Sequence, residues 1–131
     1  MKATLTFHKS HLTCVTLPAQ PPVDLTTDTL RHLTTALAAH PLQYPIEASA
    51  FRRRVWDEMR KIPFGKTVTY QELAARVGHP RAARAVGSAC AANQLLLVVP
   101  CHRVVARQGL GGFALGLEWK KRLLALENCA T

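Results

Sequence analysis

Apolar residues alternate weakly at the start of the chain, with Leu5 and Phe7 followed by Leu12, Val15 and Leu17. That spacing predicts two short strands joined around Lys9-Ser10. The stretch from Pro18 to Pro22 breaks regular structure. Between Leu25 and Ala39 the period changes: Leu30, Leu33 and Leu37 fall at helical spacing, and Pro41 and Pro45 end the run. From Ser49, a helix cap, Phe51, Val55 and Met59 form one stripe, with Arg52, Arg53, Arg60 and Lys61 largely off it. Pro63-Phe64-Gly65 turns the chain. Thr69-Tyr70-Gln71-Glu72 then reads as a capping box that opens a helix ending at Gly78. After the His79-Pro80 turn, Arg81 to Ala92 predicts a second helix, which completes a helix-turn-helix. Leu95 to Val99 is an apolar run of strand length and predicts a short buried strand.

Charge changes the picture more than composition does. The chain of 131 residues, 48% hydrophobic, suits one compact domain with at most a small annex. Its net charge of +9 is confined to one part. In residues 1–48, Lys2, Lys9 and Arg31 balance Asp24, Asp28 and Glu47, whereas residues 49–131 carry fourteen Lys or Arg against five acids. A field localised in this way attracts polyanions, so nucleic acid leads over a merely solubilising role. No apolar run reaches membrane-span length, and Thr4, Thr6 and His8 interrupt any signal-peptide layout, so an intracellular, cytoplasmic protein is expected. Cys14, Cys90, Cys101 and Cys129 lack CxxC pairing and read as free thiols. The cysteines and histidines lack zinc-ligand spacing, and no metal is expected.

The second helix of the pair is unusual for a major-groove reader. Its sequence, RAARAVGSACAAN, offers no Asn, Gln or Lys before its last position. Ala82, Ala83, Ala85, Gly87, Ser88, Ala89 and Ala91 make a slim cylinder with one long side chain, Arg84. Such a helix suits close approach to a minor groove or, equally, tight packing against neighbouring helices. Downstream stands Pro100-Cys101-His102-Arg103-Val104-Val105. An imidazole near a thiol can take its proton and generate the reactive thiolate. Neighbours in an extended chain point apart, so His102 reaches Cys101 only if the chain turns there or a water bridges them.

Pro100-Cys101-His102-Arg103-Val104, preceded by Arg84-Ala85-Val86-Gly87 and Asn93, resembles the O6-alkylguanine-DNA alkyltransferase family, the methylated-DNA–protein-cysteine methyltransferases. The likeness runs from Phe51 and Val55-Trp56 through Ile62-Pro63-Phe64-Gly65, Thr69-Tyr70, Leu73-Ala74 and Gly78. It continues through Gly116-Leu117, Lys120 and Leu123-Leu124 to Glu127, about two-thirds of the chain. The resemblance implies an α/β N-terminal annex over residues 1–48, short and ribonuclease-H-like but truncated. Residues 49–131 would be a mainly α, winged-helix-like domain that binds DNA and accepts the alkyl group. It implies that Cys101 receives an alkyl group from guanine O6, that His102 is the general base working through water, and that Glu127 orients His102. Tyr70 would help rotate the nucleotide outward and protonate guanine N3. Arg84 would fill the gap left in the stack, Asn93 would brace the hinge, and Val104 with Phe113, Ala114, Leu115 and Gly116 would wall the guanine pocket. Ala83 and Ala85 would lie against DNA; Arg81, Arg103, Lys120, Lys121 and Arg122 are candidates for phosphate contacts. Arg103 has a second reading, bracing the active segment through buried hydrogen bonds. The implied partner is the minor groove of double-stranded DNA with a flipped alkylguanine, met by a monomer without cofactor and away from membranes. Activity on O4-alkylthymine is left open by the sequence.

Three departures stand out: Gln94 follows the hinge asparagine where proline is common, Phe113 replaces a tyrosine, and Ala114-Leu115 occupy the loop before Gly116. The N-terminal piece is also shorter than usual. A DNA-binding relative that recognises alkylguanine without repairing it is the main alternative; Cys101 argues against it. A major-groove regulator conflicts with the Ala-rich helix, and a cysteine hydrolase would turn over repeatedly on an acyl substrate. Cys90 reads as a small packing residue among alanines, Cys129 as part of a frayed tail, and Trp56 and Trp119 as packing.

Overall fold

The computed structural model describes residues 2–127, so Cys129 lies outside the described residues. Strands β1 (Thr4–His8) and β2 (His11–Thr16) form an antiparallel hairpin. Lys9 and Ser10 connect them at φ values of 48° and 68°, the left-handed pair that a two-residue hairpin turn requires. Helix α1 (Thr27–Ala38) follows, with the Thr26 hydroxyl accepting from the Thr29 amide and Leu30 and Leu37 buried. In α2 (Ala50–Met59) the Ser49 hydroxyl caps the Arg52 amide, and Val55, Trp56 and Met59 face inward.

A two-residue strand, β3 (Val68–Thr69), runs straight into α3 (Tyr70–Arg76). Both halves of the expected capping box are formed there: the Glu72 amide donates to Thr69 Oγ1 at 3.0 Å, and the Thr69 amide donates to Glu72 Oε1 at 3.3 Å. Gly78, at φ 85°, ends that helical segment. The partner helix of the pair, α4 (Ala83–Ala91), starts two residues later than the sequence pattern suggests, without a side-chain cap. A 3-10 turn (Cys101–Arg103), strand β4 (Val104–Val105) and α5 (Leu117–Leu126) complete the order. Strand β4 pairs in parallel with β3, Val68 opposite Val104. The described residues thus form a mixed α/β fold of five helices and two two-stranded sheets.

One expectation fails. Leu95 to Val99 is buried, as the apolar run requires, but it is not a strand. Leu95 alone bridges Val15, Leu97 sits at φ 70°, and the Val99 amide returns to the Leu95 carbonyl at 2.9 Å. The cause is Asn93, whose Oδ1 accepts from the Leu95 amide and whose Nδ2 donates to the Val99 carbonyl, each at 2.9 Å. A single side-chain amide supplies what a neighbouring strand would otherwise have supplied.

The core is continuous, drawing Leu12 and Val15 from β2, Leu30 and Leu37 from α1, and Leu73, Val86 and Leu123 from the later helices. Full burial of side chains like these contributes about 1.5–3 kcal/mol each. Polar links reinforce it: Trp119 Nε1 donates to the Pro18 carbonyl at 2.8 Å and Thr27 Oγ1 to the Leu126 carbonyl at 2.6 Å. Among the described residues no helix is long and apolar enough to cross a membrane.

Candidate active site

Pro100, at φ −81° and ψ 67°, is the centre of an inverse γ-turn closed by the Cys101 amide on the Val99 carbonyl at 2.8 Å. The 3-10 turn begins immediately, with the Arg103 amide on the Pro100 carbonyl at 2.9 Å. The backbone therefore curls at Cys101, and the alternation that would have sent Cys101 and His102 to opposite sides does not apply. Asn93 reaches past the turn and donates from Nδ2 to Cys101 Sγ at 3.3 Å. The thiol is 3% exposed. Burial pushes its pKa up, while the Asn93 hydrogen bond and the nearby Lys120 charge pull it back.

Behind the thiol lies a buried ionic group. Glu127, the C-cap residue of α5, meets His102 Nε2 at 2.7 Å and Arg103 through Nε at 2.8 Å and Nη2 at 3.1 Å. The Gly65 amide adds a contact at 3.3 Å. Burial alone would raise the Glu127 carboxyl, but the donors outweigh it and hold the pKa at about 2. An ionised carboxylate only accepts, so the proton of this hydrogen bond sits on His102 Nε2. The Nδ1 lone pair is thereby free, and Nδ1 has no hydrogen-bond partner among the described residues. Burial pushes the His102 pKa down, against the opposing pull of Glu127. The ring is a neutral imidazole with its basic nitrogen available.

Arg103 resolves to one of its two readings. It is 7% exposed, forks onto Glu127 and donates from Nη1 to the Ile62 carbonyl at 2.8 Å, so it braces the site from inside. Lys120 is a correction. Expected among phosphate contacts, it is fully buried, with Nζ donating to the Val104 carbonyl at 2.7 Å and the Gly112 carbonyl at 2.8 Å. Its place on α5 explains this: Trp119, Lys120, Leu123 and Leu124 form the inward stripe, and Lys120 is part of it. Burial lowers its pKa, and the thiols of Cys101 and Cys90 raise it. Arg122 is likewise half-engaged, donating to the Val23 carbonyl at 2.9 Å.

Cys101 opens onto a cavity of about 360 Å³. Tyr70 and Gly87 border it on the helix-turn-helix side, and Gly112, Phe113 and Ala114 on the loop before α5. Val104, Leu115 and Gly116, expected in the same wall, are outside its lining; Gly116 caps α5 and Val104 is wholly buried in β4. Cys90 lies in the lining, where sequence reasoning had seen packing alone. The Tyr70 hydroxyl accepts from the Gly112 amide at 3.2 Å. Gly111, at φ 71°, is required beside it, because a Cβ there would stand 2.6 Å from that hydroxyl. Burial raises the Tyr70 pKa, so the phenol keeps its proton.

Helix α4 packs tightly on one side and leaves the other side open. Val86, Ala89 and Cys90 pack inward, and Trp56 Nε1 donates to the Ala89 carbonyl at 2.8 Å. Arg81, Arg84, Ala85 and Ser88 are exposed along the opposite side, with Ala83 half-buried at its start. Arg81 and Arg84 are thus on the molecule's surface, while Glu127, His102 and Arg103 are buried.

Residues 50–129 match the family model of the 6-O-methylguanine DNA methyltransferase, DNA binding domain. A probable methylated-DNA–protein-cysteine methyltransferase of Acanthamoeba polyphaga mimivirus is 45% identical over 87 residues, 66% of this chain and 58% of that protein. The bifunctional transcriptional activator/DNA repair enzyme Ada of Escherichia coli (strain K12) is 49% identical over 90 residues, 66% of this chain and 25% of that protein. The chain therefore spans between a quarter and rather more than half of these relatives' lengths. Among solved structures, Mycobacterium tuberculosis OGT in complex with DNA superposes at a TM-score of 0.74 with 33% identity, covering 95% of this chain and 85% of that one. With the profile matching well over half its length and the fold shared throughout, this chain belongs to the 6-O-methylguanine DNA methyltransferase family.

Proposed function

We propose that this protein repairs DNA by moving an alkyl group from guanine O6 to its own Cys101, once per molecule. The observation that carries the reading is the buried sequence of carboxylate, imidazole and thiol, Glu127, His102 and Cys101, opening onto a cavity. His102 Nδ1 takes the Cys101 proton through a water, and Glu127 stabilises the imidazolium that forms. The thiolate attacks the alkyl carbon; the S–C bond forms as the C–O6 bond breaks. Tyr70 gives its proton to guanine N3, so the base leaves neutral rather than as an anion. The product is a thioether, which offers water no carbonyl to attack, and the protein is consumed.

The thiol is buried, so a stacked guanine cannot reach it, and the base must leave the duplex. Flipping costs a few kcal/mol, offset in part when exposed Arg84 takes the vacated place in the stack. The slim outer side of α4, with Ala83, Ala85 and Arg81, is read as lying along the minor groove of double-stranded DNA, bound by a monomer. Residues 1–48 are read as a truncated ribonuclease-H-like scaffold, and residues 49–131 as the winged-helix-like unit that binds DNA and carries the chemistry. O4-alkylthymine carries the same kind of alkyl–oxygen bond on an aromatic ring and is the second substrate to test on this reading.

The test is intact mass spectrometry after mixing with a duplex bearing O6-methylguanine. One methyl group on Cys101 and stoichiometric loss of activity are expected, and Cys101→Ser should bind the duplex yet gain nothing. Repair at undiminished rate by Cys101→Ser, or repeated turnover by the native chain, would refute the mechanism.

A further inference from the structure

Two thiols, not one, line the cavity. Cys90 stands on α4 one turn beyond Gly87, in the same cavity wall as Cys101. It is 8% exposed, and its hydrogen-bond partner is another sulfur, Met59 Sδ at 3.7 Å. Cys90 is close enough to feel the charge of Cys101, and the Lys120 ammonium acts on both thiols. The proposed transfer to Cys101 makes no use of Cys90.

We propose that Cys90 is a second acceptor for alkyl groups that carry their own leaving group, so that a haloethyl adduct ends as an ethylene bridge between Cys101 and Cys90. This rests on the reading that Cys101 receives the first bond. For O6-chloroethylguanine, Cys101 sulfur bonds to the carbon attached to O6, the C–O6 bond breaks, and guanine departs. The new thioether sulfur then displaces chloride from the far carbon and closes a three-membered sulfonium ring. Cys90 sulfur opens that ring, its proton leaves to water, and the second step loses hydrogen chloride overall. No oxidant or reductant is involved, because each step is a substitution at carbon.

The cavity favours this outcome in two ways. A sulfonium on Cys101 faces a cavity whose wall already holds the Cys90 sulfur, the advantage that intramolecular placement confers. The charges also change in the useful direction. Burial first, and then the neighbouring Cys101, push the Cys90 thiol up to about 12. Once Cys101 is alkylated it cannot carry negative charge, and the sulfonium adds a positive one beside Lys120. Cys90 is therefore made more acidic only after the first transfer has occurred.

The experiment mixes the whole chain with a duplex bearing O6-chloroethylguanine and, separately, with free bromochloroethane, which alkylates thiols without DNA. Intact mass and peptide mapping read the product. The expected species is the chloroethyl adduct less hydrogen chloride, with the peptides containing Cys90 and Cys101 joined. In Cys90→Ala and Cys90→Ser the bridge should fall to background, replaced by a hydroxyethyl group on Cys101 or a link to DNA. The native chain carrying chloroethyl or hydroxyethyl on Cys101 with Cys90 free, in either arm, overturns the inference. So does a protein that takes methyl but not chloroethyl. A duplex with O6-methylguanine separates the two ideas: a methyl without a bridge sinks Cys90's role alone, whereas no methyl on Cys101 sinks the parent reading.

Discussion

Two clamps hold the Cys101 turn, and they are made of different materials. On the α5 side the clamp is ionic: Glu127 gathers buried His102 and Arg103, and the half-buried Gly65 amide, at 2.7 to 3.3 Å. On the α4 side it is neutral: Asn93 alone ties the Leu95 amide, the Val99 carbonyl and the Cys101 sulfur. The ionic clamp sets charge, because it decides which nitrogen of His102 holds a proton. The neutral clamp sets shape, because it makes a turn from a segment whose composition favours a strand. A buried charge is tolerated where it is paired and hydrogen-bonded, as Glu127 is, and an uncharged amide does the rest.

Breaking the ionic clamp should cost most. In Glu127→Gln the amide can neither fix the His102 tautomer nor stabilise an imidazolium, and alkyl transfer should slow by about 10²–10⁴-fold. Arg103 is left buried without its counter-ion, so the variant should also lose about 3–5 kcal/mol in denaturant unfolding. A single-turnover transfer rate within twofold or so of the native one would remove the relay from the mechanism. The native clamp carries a pH signature as well. Glu127 in the folded chain lies at about 2, below the ordinary carboxylate value, so its contribution is present above that ordinary value and lost as pH falls toward 2. His102 is also depressed in the folded chain and acts in the same direction, its share beginning to go as pH falls below the ordinary imidazole value. Stability measured on acidification should therefore fall in two stages, and Glu127→Gln should lack the lower one.

Breaking the neutral clamp should cost less and elsewhere. Asn93→Ala leaves the Leu95 amide and Val99 carbonyl unpaired in a buried turn, a loss of about 1–3 kcal/mol on unfolding. It also removes the hydrogen bond that most lowers the Cys101 pKa, so transfer in the variant should need higher pH. Normal stability in Asn93→Ala would mean that the apolar run holds its turn unaided.

How much of this was legible beforehand follows the same division. Local rules announced themselves: the Lys9-Ser10 hairpin, the Ser49 cap, the Thr69–Glu72 capping box and the Gly78 stop all stand as the residue types dictate. The family resemblance pointed to Cys101, His102, Glu127, Tyr70 and Asn93, and the fold brings these around one cavity or directly behind it. The Leu95–Val99 turn was illegible because an apolar run has no periodicity that separates a strand from a buried turn; the answer lay in a polar residue two positions upstream. Lys120 misled, and Arg103 stayed divided between two readings, for a different reason, since basic residues in a basic segment are read as surface. The position of Lys120 on the Trp119, Leu123 and Leu124 stripe was the available signal. Cys90 could not be resolved from sequence, because which side of α4 meets the cavity depends on how α3 and the loop before α5 pack against it.

Lys120 tests whether the two clamps are enough. Its ammonium belongs to neither, yet it links β4 to the cavity loop through the Val104 and Gly112 carbonyls and stands 5.8 Å from the centre of the Tyr70 ring. Arg103 is paired with Glu127; Lys120 has carbonyl partners, and its charge acts on the Cys101 thiol. Removing that charge should leave the thiol more strongly raised by burial, with little change in the His102–Glu127 pair. In Lys120→Met, which keeps the length and apolar bulk of the stem, the pH profile of single-turnover transfer should move to higher pH. The rate should converge with that of the native chain once the thiol is fully ionised in both. The effect at neutral pH should be smaller than that of either clamp, because the relay and the Asn93 hydrogen bond both survive. A rate lowered equally at every pH would assign Lys120 to holding the loop and Tyr70 in place, and would leave the thiolate to the clamps alone.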